Sequence, residues 1–230
     1  MRQSKRMRLN LSKALTYLIT SGATTAATTS STEDFSAILK LVSAAVSAEV
    51  SLIQLREKNL SALVLYELTK CAVALTKGSN TRLLVNDRAD IAKAAGADGV
   101  HLTSTSLRAA TIRRTFGRDF LVGVSAHSLP DAVVARDDGA DFVVLGPVFE
   151  TASKRIYGEP LGLSQLENVI KELKAFPVIA LGGITLANAE ECLRVGAAGV
   201  AGITIFNEPS LLAETTEYIS RLSSAIEGFE

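Results

Sequence analysis

The chain has 230 residues, 47% of them hydrophobic and 21% charged, so it is long and apolar enough to bury a full core. Lysine plus arginine equals aspartate plus glutamate at 24 each, and this balance gives no sign of a nucleic-acid or membrane partner. No apolar run has the length of a membrane span, and no secretory signal follows the basic N-terminus. We therefore expect a cytoplasmic globular protein.

Apolar segments alternate with helical patterns along the whole chain. The predicted strands are 15–20, 50–55, 82–85, 99–102, 120–124, 142–145, 177–181 and 199–206. The predicted helices are 32–48, 61–77, a short one ending near 96, 106–116, one beginning near 128, 164–174, one leading to 196, and 209–226. Residues 1–14 are predicted to form a basic tail, and residues 15–230 a single domain.

The strands lack the alternation of apolar and polar residues that a half-exposed sheet requires. Strands of this kind are buried on both faces, which indicates a parallel sheet covered by helices. A weak repeat supports the assignment, because Gly96, Gly139 and Gly196 each follow a helix and precede a strand. Eight such units predict one (β/α)8 TIM barrel, and an open doubly wound sheet is the alternative.

The two cysteines, Cys71 and Cys192, lie in helical patterns among apolar neighbours and lack the spacing of metal ligands. Both are predicted to be reduced thiols in the core. The sequence leaves open whether the chain forms a homo-oligomer.

A glycine pair, Gly182 and Gly183, stands where the seventh predicted strand ends and a helix is expected to begin. Two residues without side chains let several backbone N–H groups point at one anion, aided by the positive end of the helix. After the eighth strand, Gly202 and Thr204 add a bare backbone and a hydroxyl. This predicts a phosphate site without cations, and a simple tight turn is the alternative.

A second group of polar residues follows the second, third, fifth and sixth strands. Strand geometry sends Gln54, Arg56 and Lys58 to one face of the barrel mouth. Two cations at that place indicate an anionic ligand, and a solvated surface cluster is the alternative. Asn86 and Asp87 suit Mg²⁺ as well as they suit a turn that caps the next helix. Further candidates for binding an anion are Ser125, Thr151, Ser153 and Lys154, whereas His101 and His127 are interpreted as structural.

Two anion-binding zones at one rim imply two phosphorylated groups in one pocket. The uncharged zone suits a phosphate ester, and the cationic zone with a metal ion suits a pyrophosphate. This combination favours a reaction in which pyrophosphate departs, because preorganised positive charge stabilises the leaving group.

Six motifs in order resemble the family of thiamine phosphate synthase and TenI proteins: QLREK at 54–58, VNDR at 85–88, GVHL at 99–102, GVSAHS at 123–128, GADFVVLGPVFETASK at 139–154 and VIALGGIT at 178–185. The resemblance implies a TIM barrel that joins hydroxymethylpyrimidine pyrophosphate to thiazole phosphate and releases pyrophosphate with Mg²⁺. The pyrimidine amine is expected to help expel pyrophosphate, and the thiazole nitrogen to capture the resulting cation.

The resemblance also implies a role for each candidate residue. Gln54 would face the pyrimidine and thiazole, and Asp87 would bind Mg²⁺. Pyrophosphate would be held by Arg56, Lys58, Asn86, Ser125 and Lys154, and thiazole phosphate by Thr151, Ser153, Gly183 and Thr204.

The chain departs from the synthase pattern after the fourth strand. Synthases usually have Gly-Gln-x-Asp there, with a second metal-binding aspartate, and this chain has the hydroxyl residues 103–106. TenI proteins, which isomerise a thiazole carboxylate phosphate, often lack that aspartate. A known TenI form has a histidine where this chain has Pro147. We favour the synthase, with a TenI-like tautomerase and a non-catalytic regulator that binds thiazole or thiamine phosphate as alternatives.

Overall fold

Eight parallel strands close into a barrel in the computed structural model, which describes residues 9–151 and 159–227. Each strand pairs with the next along the chain, and the eighth pairs with the first to close the sheet. This confirms the predicted single TIM barrel. The open doubly wound sheet is wrong, because an open sheet would leave two strands with one neighbour each.

Helices follow the strands in strict alternation on the outside of the barrel. The strands are β1 (Leu15–Ile19), β2 (Leu52–Leu55), β3 (Arg82–Asn86), β4 (Gly99–Leu102), β5 (Leu121–Ala126), β6 (Phe142–Leu145), β7 (Val178–Leu181) and β8 (Gly199–Gly202). The helices are α1 (Glu33–Ser47), α2 (Ala62–Thr76), α3 (Ala89–Ala95), α4 (Ala109–Phe116), α5 (Leu129–Asp137), α6 (Gly162–Leu173), α7 (Ala189–Arg194) and α8 (Leu212–Glu227).

The ends of several elements agree with the local signals in the sequence. Ser61 caps α2 by accepting a hydrogen bond from the N–H of Val64, and Ser128 caps α5 in the same way. The three repeat glycines, Gly96, Gly139 and Gly196, have φ values of 83°, 87° and 95°. These left-handed conformations confirm that each glycine ends a helical unit and turns the chain into the next strand.

The prediction for the eighth strand is wrong at its C-terminal end. The strand stops at Gly202, and Thr204–Phe206 forms a short 3-10 turn in which the Phe206 N–H donates to the Ile203 carbonyl. The apolar run continues past the strand because Phe206 is buried against the helical layer, not because the sheet continues.

The core has two layers, one inside the barrel and one between the strands and helices. The inner layer contains Leu15, Tyr17, Ile19, Leu52, Leu84, Leu121, Phe142, Val144, Ile179 and Ala201. Leu9 packs against this inner layer, and the Ala14 N–H donates to Ser223 Oγ, so these two residues before β1 lie against the barrel. A helix long and apolar enough to cross a membrane is not found in the described ranges.

The two cysteines differ in their surroundings. Cys192 is fully buried, and burial, with a smaller contribution from Glu191, raises the pKa of its thiol to about 12. Cys71 is exposed, so its predicted place in the core is wrong. On α2 the neighbouring Ala72 faces the core, and one helical step of 100° turns Cys71 towards solvent.

We expect native protein to react with a thiol reagent at Cys71 only. Cys192 has neither exposure nor an accessible thiolate, so it should react only after unfolding. Mass spectrometry should find one label per native chain and none after Cys71→Ser. Two labels at equal rates in the native protein would contradict the burial of Cys192.

Candidate active site at the carboxyl ends of the strands

The predicted site residues that the structure describes share one end of the barrel. They lie at the carboxyl ends of strands or in the loops that follow: Gln54, Arg56, Lys58, Asn86, Asp87, Ser125, Thr151, Gly182, Gly183, Gly202 and Thr204. Ser153 and Lys154 lie outside the described residues. In parallel barrels this end carries the active site, so the topology gathers residues that are up to 150 positions apart in the sequence.

The end of β2 presents an amide and two cations at different depths. Gln54 is inside the barrel and only 2% exposed, Arg56 is half-buried, and Lys58 is exposed. The strand stops at Leu55, so strand alternation does not place the two cations as predicted. Neither cation forms an ion pair with a carboxylate in residues 9–151 or 159–227.

Arg56 is positioned by the loop that follows β1. Its backbone N–H donates to Thr20 Oγ1 at 2.8 Å. Its guanidinium lies against Gly22, because a Cβ added at Gly22 would be 3.1 Å from Arg56 Nη1. The side chain therefore has a fixed neighbour and, among the described residues, no acidic partner, which is the state expected of a cation that binds an anion.

Glu57, between the two cations, was not predicted to belong to the site. Its carboxylate is 3% exposed and accepts from the hydroxyls of Thr20 and Thr24 at 2.5 and 2.7 Å. It also accepts from the N–H groups of Gly22 and Thr24 at 3.2 and 3.4 Å. Four donors from one loop fix that loop beside Arg56. Strand alternation turns Glu57 away from Arg56 and Lys58, but its donors in the loop after β1 could not be predicted from the sequence.

We expect Glu57→Gln to loosen this loop. A carboxamide turns an NH2 group towards two of the four donors, which should lower the free energy of unfolding by about 1–3 kcal/mol. Hydrogen exchange of the Gly22 and Thr24 amides should become faster, whereas the matched variant Glu172→Gln on the exposed side of α6 should not change them. Unchanged exchange in Glu57→Gln would show that the carboxylate does not hold the loop.

The end of β3 carries a carboxylate in an unusual backbone conformation. Asp87 has φ +62°, and its N–H donates to the His101 carbonyl at 2.8 Å. Aspartate adopts the left-handed region more readily than most residues, but an instance at a strand end is uncommon and often functional. The side chain is exposed at the rim, next to Asn86, the last residue of β3.

The described residues contain no group of three or more His, Cys, Asp or Glu side chains that could hold a metal ion. This does not argue against Mg²⁺, which uses one or two protein carboxylates and completes its shell with water and phosphate oxygens. Asp87 is an exposed carboxylate of the kind that Mg²⁺ uses, so the residues present fit this ion.

A chain of buried polar side chains crosses the inside of the barrel. Gln54 Nε2 donates to Tyr17 Oη at 3.3 Å, and Tyr17 Oη lies 3.2 Å from His101 Nδ1. His101 Nε2 lies 2.9 Å from Ser125 Oγ. Burial lowers the pKa of His101 to about 3 and raises the pKa of Tyr17 well above its usual value. Both side chains are therefore neutral at physiological pH.

The glycine pair exposes its backbone and also packs closely against the loop after β6. Gly182 and Gly183 have φ values of 97° and 65°. A Cβ on Gly182 would lie 2.6 Å from Pro147 Cα, and one on Gly183 would lie 2.7 Å from the Glu150 carbonyl oxygen. Since α7 begins only at Ala189, the prediction that the pair opens a helix is wrong. The pair lets the loop after β6 pack on the end of β7.

That packing leaves one hydroxyl without a partner. Thr151 Oγ1 is buried and makes no hydrogen bond within the described part of the chain. Across the rim, Thr204 is exposed at the start of the 3-10 turn, and Gly202 ends β8. A Cβ on Gly202 would lie 2.5 Å from Ile205 Cγ2, so packing also requires glycine there. This side of the rim offers hydroxyls and backbone, as predicted.

The loop after β4 is a turn built from hydroxyl groups. Ser106 Oγ accepts from the Thr103 N–H at 2.8 Å and lies 3.1 Å from Thr103 Oγ1. Thr103 Oγ1 also lies 3.2 Å from Thr105 Oγ1. Ser106 is thus occupied in stabilising the turn, at the position where synthases usually have an aspartate.

Together, the closed parallel barrel, the cations after β2 without an acidic partner in the described ranges, and the glycine-rich rim of β7 and β8 fit the class of TIM-barrel proteins that bind phosphorylated small molecules. A sequence model described as thiamine monophosphate synthase matches residues 24–206. The chain belongs to this family.

Relatives support the same assignment over most of the chain. A thiamine-phosphate synthase of Methanoregula boonei is 35% identical over 97% of both chains, and one of Roseiflexus sp. is 37% identical over 83% of this chain and 81% of its own. A Geobacter sulfurreducens protein with a provisional thiamine-phosphate synthase name is 49% identical over 73% of this chain and 78% of its own. The solved thiamine phosphate pyrophosphorylase from Pyrococcus furiosus is 28% identical, covers 94% of this chain and 98% of its own, and superposes with a TM-score of 0.75.

Proposed function

We propose that the chain is a thiamine phosphate synthase, which joins hydroxymethylpyrimidine pyrophosphate to thiazole phosphate and releases pyrophosphate. The observation that carries the proposal is the half-buried Arg56, which has no acidic partner in the part of the chain that the structure describes, at the same rim as the uncharged glycine and hydroxyl groups of β7 and β8. Family membership and the names of the relatives agree with this activity.

The pyrophosphate belongs on the β2, β3 and β5 side of the rim. Arg56 and Lys58 would supply charge, and Asn86 and Ser125 would supply hydrogen bonds, joined by Lys154 from the loop after β6. A charge-assisted contact strengthens as the leaving group gains negative charge, so these residues favour the transition state over the bound substrate.

Asp87 would hold Mg²⁺ together with pyrophosphate oxygens and water. The ion would neutralise part of the charge on the departing group when it is bound. Asp87 can do this without a second carboxylate, because substrate oxygens and water occupy most of the ligand positions around Mg²⁺.

The thiazole phosphate belongs on the opposite side of the rim. A monoester would bind there without cations, held by the Thr151 hydroxyl, which has no partner within the described residues, by Thr204 and by the bare backbone of Gly182, Gly183 and Gly202. Ser153 would add a further hydroxyl. A buried hydroxyl without a partner is costly, and a ligand oxygen that accepts from it would remove that cost.

The reaction needs positioning more than it needs a protein nucleophile. The bond between the pyrimidine methylene carbon and the pyrophosphate oxygen breaks, and its electron pair leaves with pyrophosphate. The thiazole nitrogen then gives its pair to the same carbon. Gln54 would orient the two rings between the anion zones, which lowers the entropic cost of their meeting.

The proposal is tested by incubating the purified chain with both substrates and Mg²⁺ and measuring the products. We expect thiamine phosphate and pyrophosphate in equal amounts. Isomerisation of the thiazole carboxylate phosphate without synthase turnover would establish the tautomerase instead. Tight binding of thiazole or thiamine phosphate without either reaction would establish the regulator.

Two observations keep the tautomerase as the second candidate. The loop after β4 has hydroxyls in place of the second metal-binding carboxylate. His127 Nδ1 lies 2.5 Å from the Gly146 carbonyl, so an exposed imidazole stands beside Pro147, the position at which a known TenI form has a histidine. If this candidate is right, His127→Gln should abolish isomerisation.

Ser106→Asp should increase the Mg²⁺ dependence of a synthase. The aspartate can accept from the Thr103 N–H as Ser106 Oγ does, so the turn should persist. A second carboxylate at the rim should lower the Mg²⁺ concentration for half-maximal activity by about tenfold, by analogy with the cost of disturbing metal sites. Ser104→Asp, at an exposed position two residues earlier, is the control. No difference between the two variants would show that residue 106 does not face the metal.

A further inference from the structure

We propose that Tyr17 and His101 are positioning residues that form, with Gln54 and Ser125, a hydrogen-bond relay with one direction, and that this relay presents the Ser125 hydroxyl as a donor to an acceptor oxygen of the substrate. The relay itself is a property of the barrel interior. Only the identity of the acceptor as pyrophosphate rests on the proposed function.

The four side chains come from four strands and meet inside the barrel. Tyr17 on β1 is 0% exposed, and Gln54 on β2 and His101 on β4 are 2% and 3% exposed. Ser125 on β5 is half-buried and is the member that reaches the rim. The rings of Tyr17 and Phe142 lie 5.7 and 6.2 Å from the His101 ring, so apolar surfaces enclose the imidazole.

Gly123 makes room for this arrangement. A Cβ at that position would lie 2.3 Å from the Phe142 ring and 2.9 Å from His101 Nδ1. The His101 imidazole is therefore tightly packed beside Gly123 and Phe142. Its two nitrogens are left facing Tyr17 and Ser125.

The direction of the relay follows from counting protons. The Gln54 NH2 group can only donate, so Tyr17 Oη must accept from it. The single proton of Tyr17 is then directed at His101 Nδ1, which accepts. A neutral imidazole with an acceptor Nδ1 carries its proton on Nε2, and that N–H donates to Ser125 Oγ.

The hydroxyl proton of Ser125 has no acceptor among the other three residues of the relay. It is given towards the rim, where a phosphate oxygen of the substrate can accept it. Turning the Gln54 amide over would reverse every bond and make Ser125 an acceptor, so the tautomer of His101 reports which direction holds.

The test measures this tautomer by ¹⁵N NMR of the full-length protein labelled in its two histidines. We expect His101 to be neutral with its proton on Nε2, both in the free protein and with Mg²⁺ and inorganic pyrophosphate, and His127→Gln assigns the signals. A proton on Nδ1, or an imidazolium at neutral pH, would overturn the proposal. Neither result depends on synthase turnover. The relay can therefore be wrong while the proposed function is right, and the proposed function can be wrong while the relay is right.

Tyr17→Phe breaks the relay and keeps the ring that packs on His101 and Phe142. We expect the Nδ1–H tautomer to appear and the Kd for pyrophosphate with Mg²⁺ to rise about three- to tenfold, the usual effect of one hydrogen bond. Tyr218→Phe on α8 is the control and should change neither quantity. A purely structural role for Tyr17 would lower stability without moving the tautomer, and that outcome would contradict the relay.

Discussion

Arg56→Ala is expected to lower kcat/KM for the pyrimidine pyrophosphate by about 10- to 100-fold, since a charge-assisted contact contributes roughly 1.5–3 kcal/mol. Arg56 is half-buried and has no acidic partner in the described ranges, so its removal leaves no orphaned carboxylate, and the fold should survive. KM for thiazole phosphate should change little, because that substrate is assigned to the other side of the rim.

The matched control for this variant is Arg221→Ala on α8. Arg221 is an exposed arginine whose nearest carboxylate, that of Glu217, is 4.0 Å away. The Arg221→Ala variant removes the same charge from the chain at a distance from the rim. Equal kinetics for Arg56→Ala and the wild type would show that the cation after β2 is a surface charge with no part in binding.

Asp87→Asn is expected to raise the Mg²⁺ concentration for half-maximal activity by about 10- to 100-fold, the range seen when the surroundings of a bound metal are disturbed. Asparagine tolerates the left-handed conformation at φ +62°, so the backbone and its bond to the His101 carbonyl should remain. The variant therefore changes the charge at the rim and not the turn.

Asp90→Asn provides the control, because it removes a carboxylate three residues away that is paired with Arg88 at 2.6 Å. Steady-state rates over a range of Mg²⁺ concentrations compare the two variants. If both show the wild-type dependence on Mg²⁺, Asp87 does not hold the metal and the turn at the end of β3 has only a structural role.

The sequence predicted the barrel well because its signals are local. A strand buried on both faces is visible as an unbroken apolar run, and Gly96, Gly139 and Gly196 mark the helix ends by a conformation that few other residues adopt. The same signals failed where burial and secondary structure diverge. The run at 203–206 is apolar because Phe206 is buried, and Cys71 has apolar neighbours although it faces solvent.

The sequence predicted which residues stand at the rim better than it predicted their contacts, and their roles in binding stay predictions. Position after a strand was enough to gather Gln54, Asn86, Asp87 and Ser125 at one rim. The role of Glu57 depends on partners in the loop after β1, and that of His101 on partners in other strands. Only the register of the closed sheet brings these groups within hydrogen-bond distance. The close contact of the glycine pair with the loop after β6 likewise joins residues that are far apart in the sequence, so it could not be predicted from local signals.

The central claim is that one rim holds a cationic zone for pyrophosphate and an uncharged zone for a phosphate monoester. A crystal structure with thiamine phosphate, pyrophosphate and Mg²⁺ tests it most directly. We expect pyrophosphate oxygens against Arg56 and Ser125 and the monoester of thiamine phosphate against Thr151 and Gly183. Pyrophosphate bound away from Arg56, or both phosphate groups on the same side of the rim, would contradict the account.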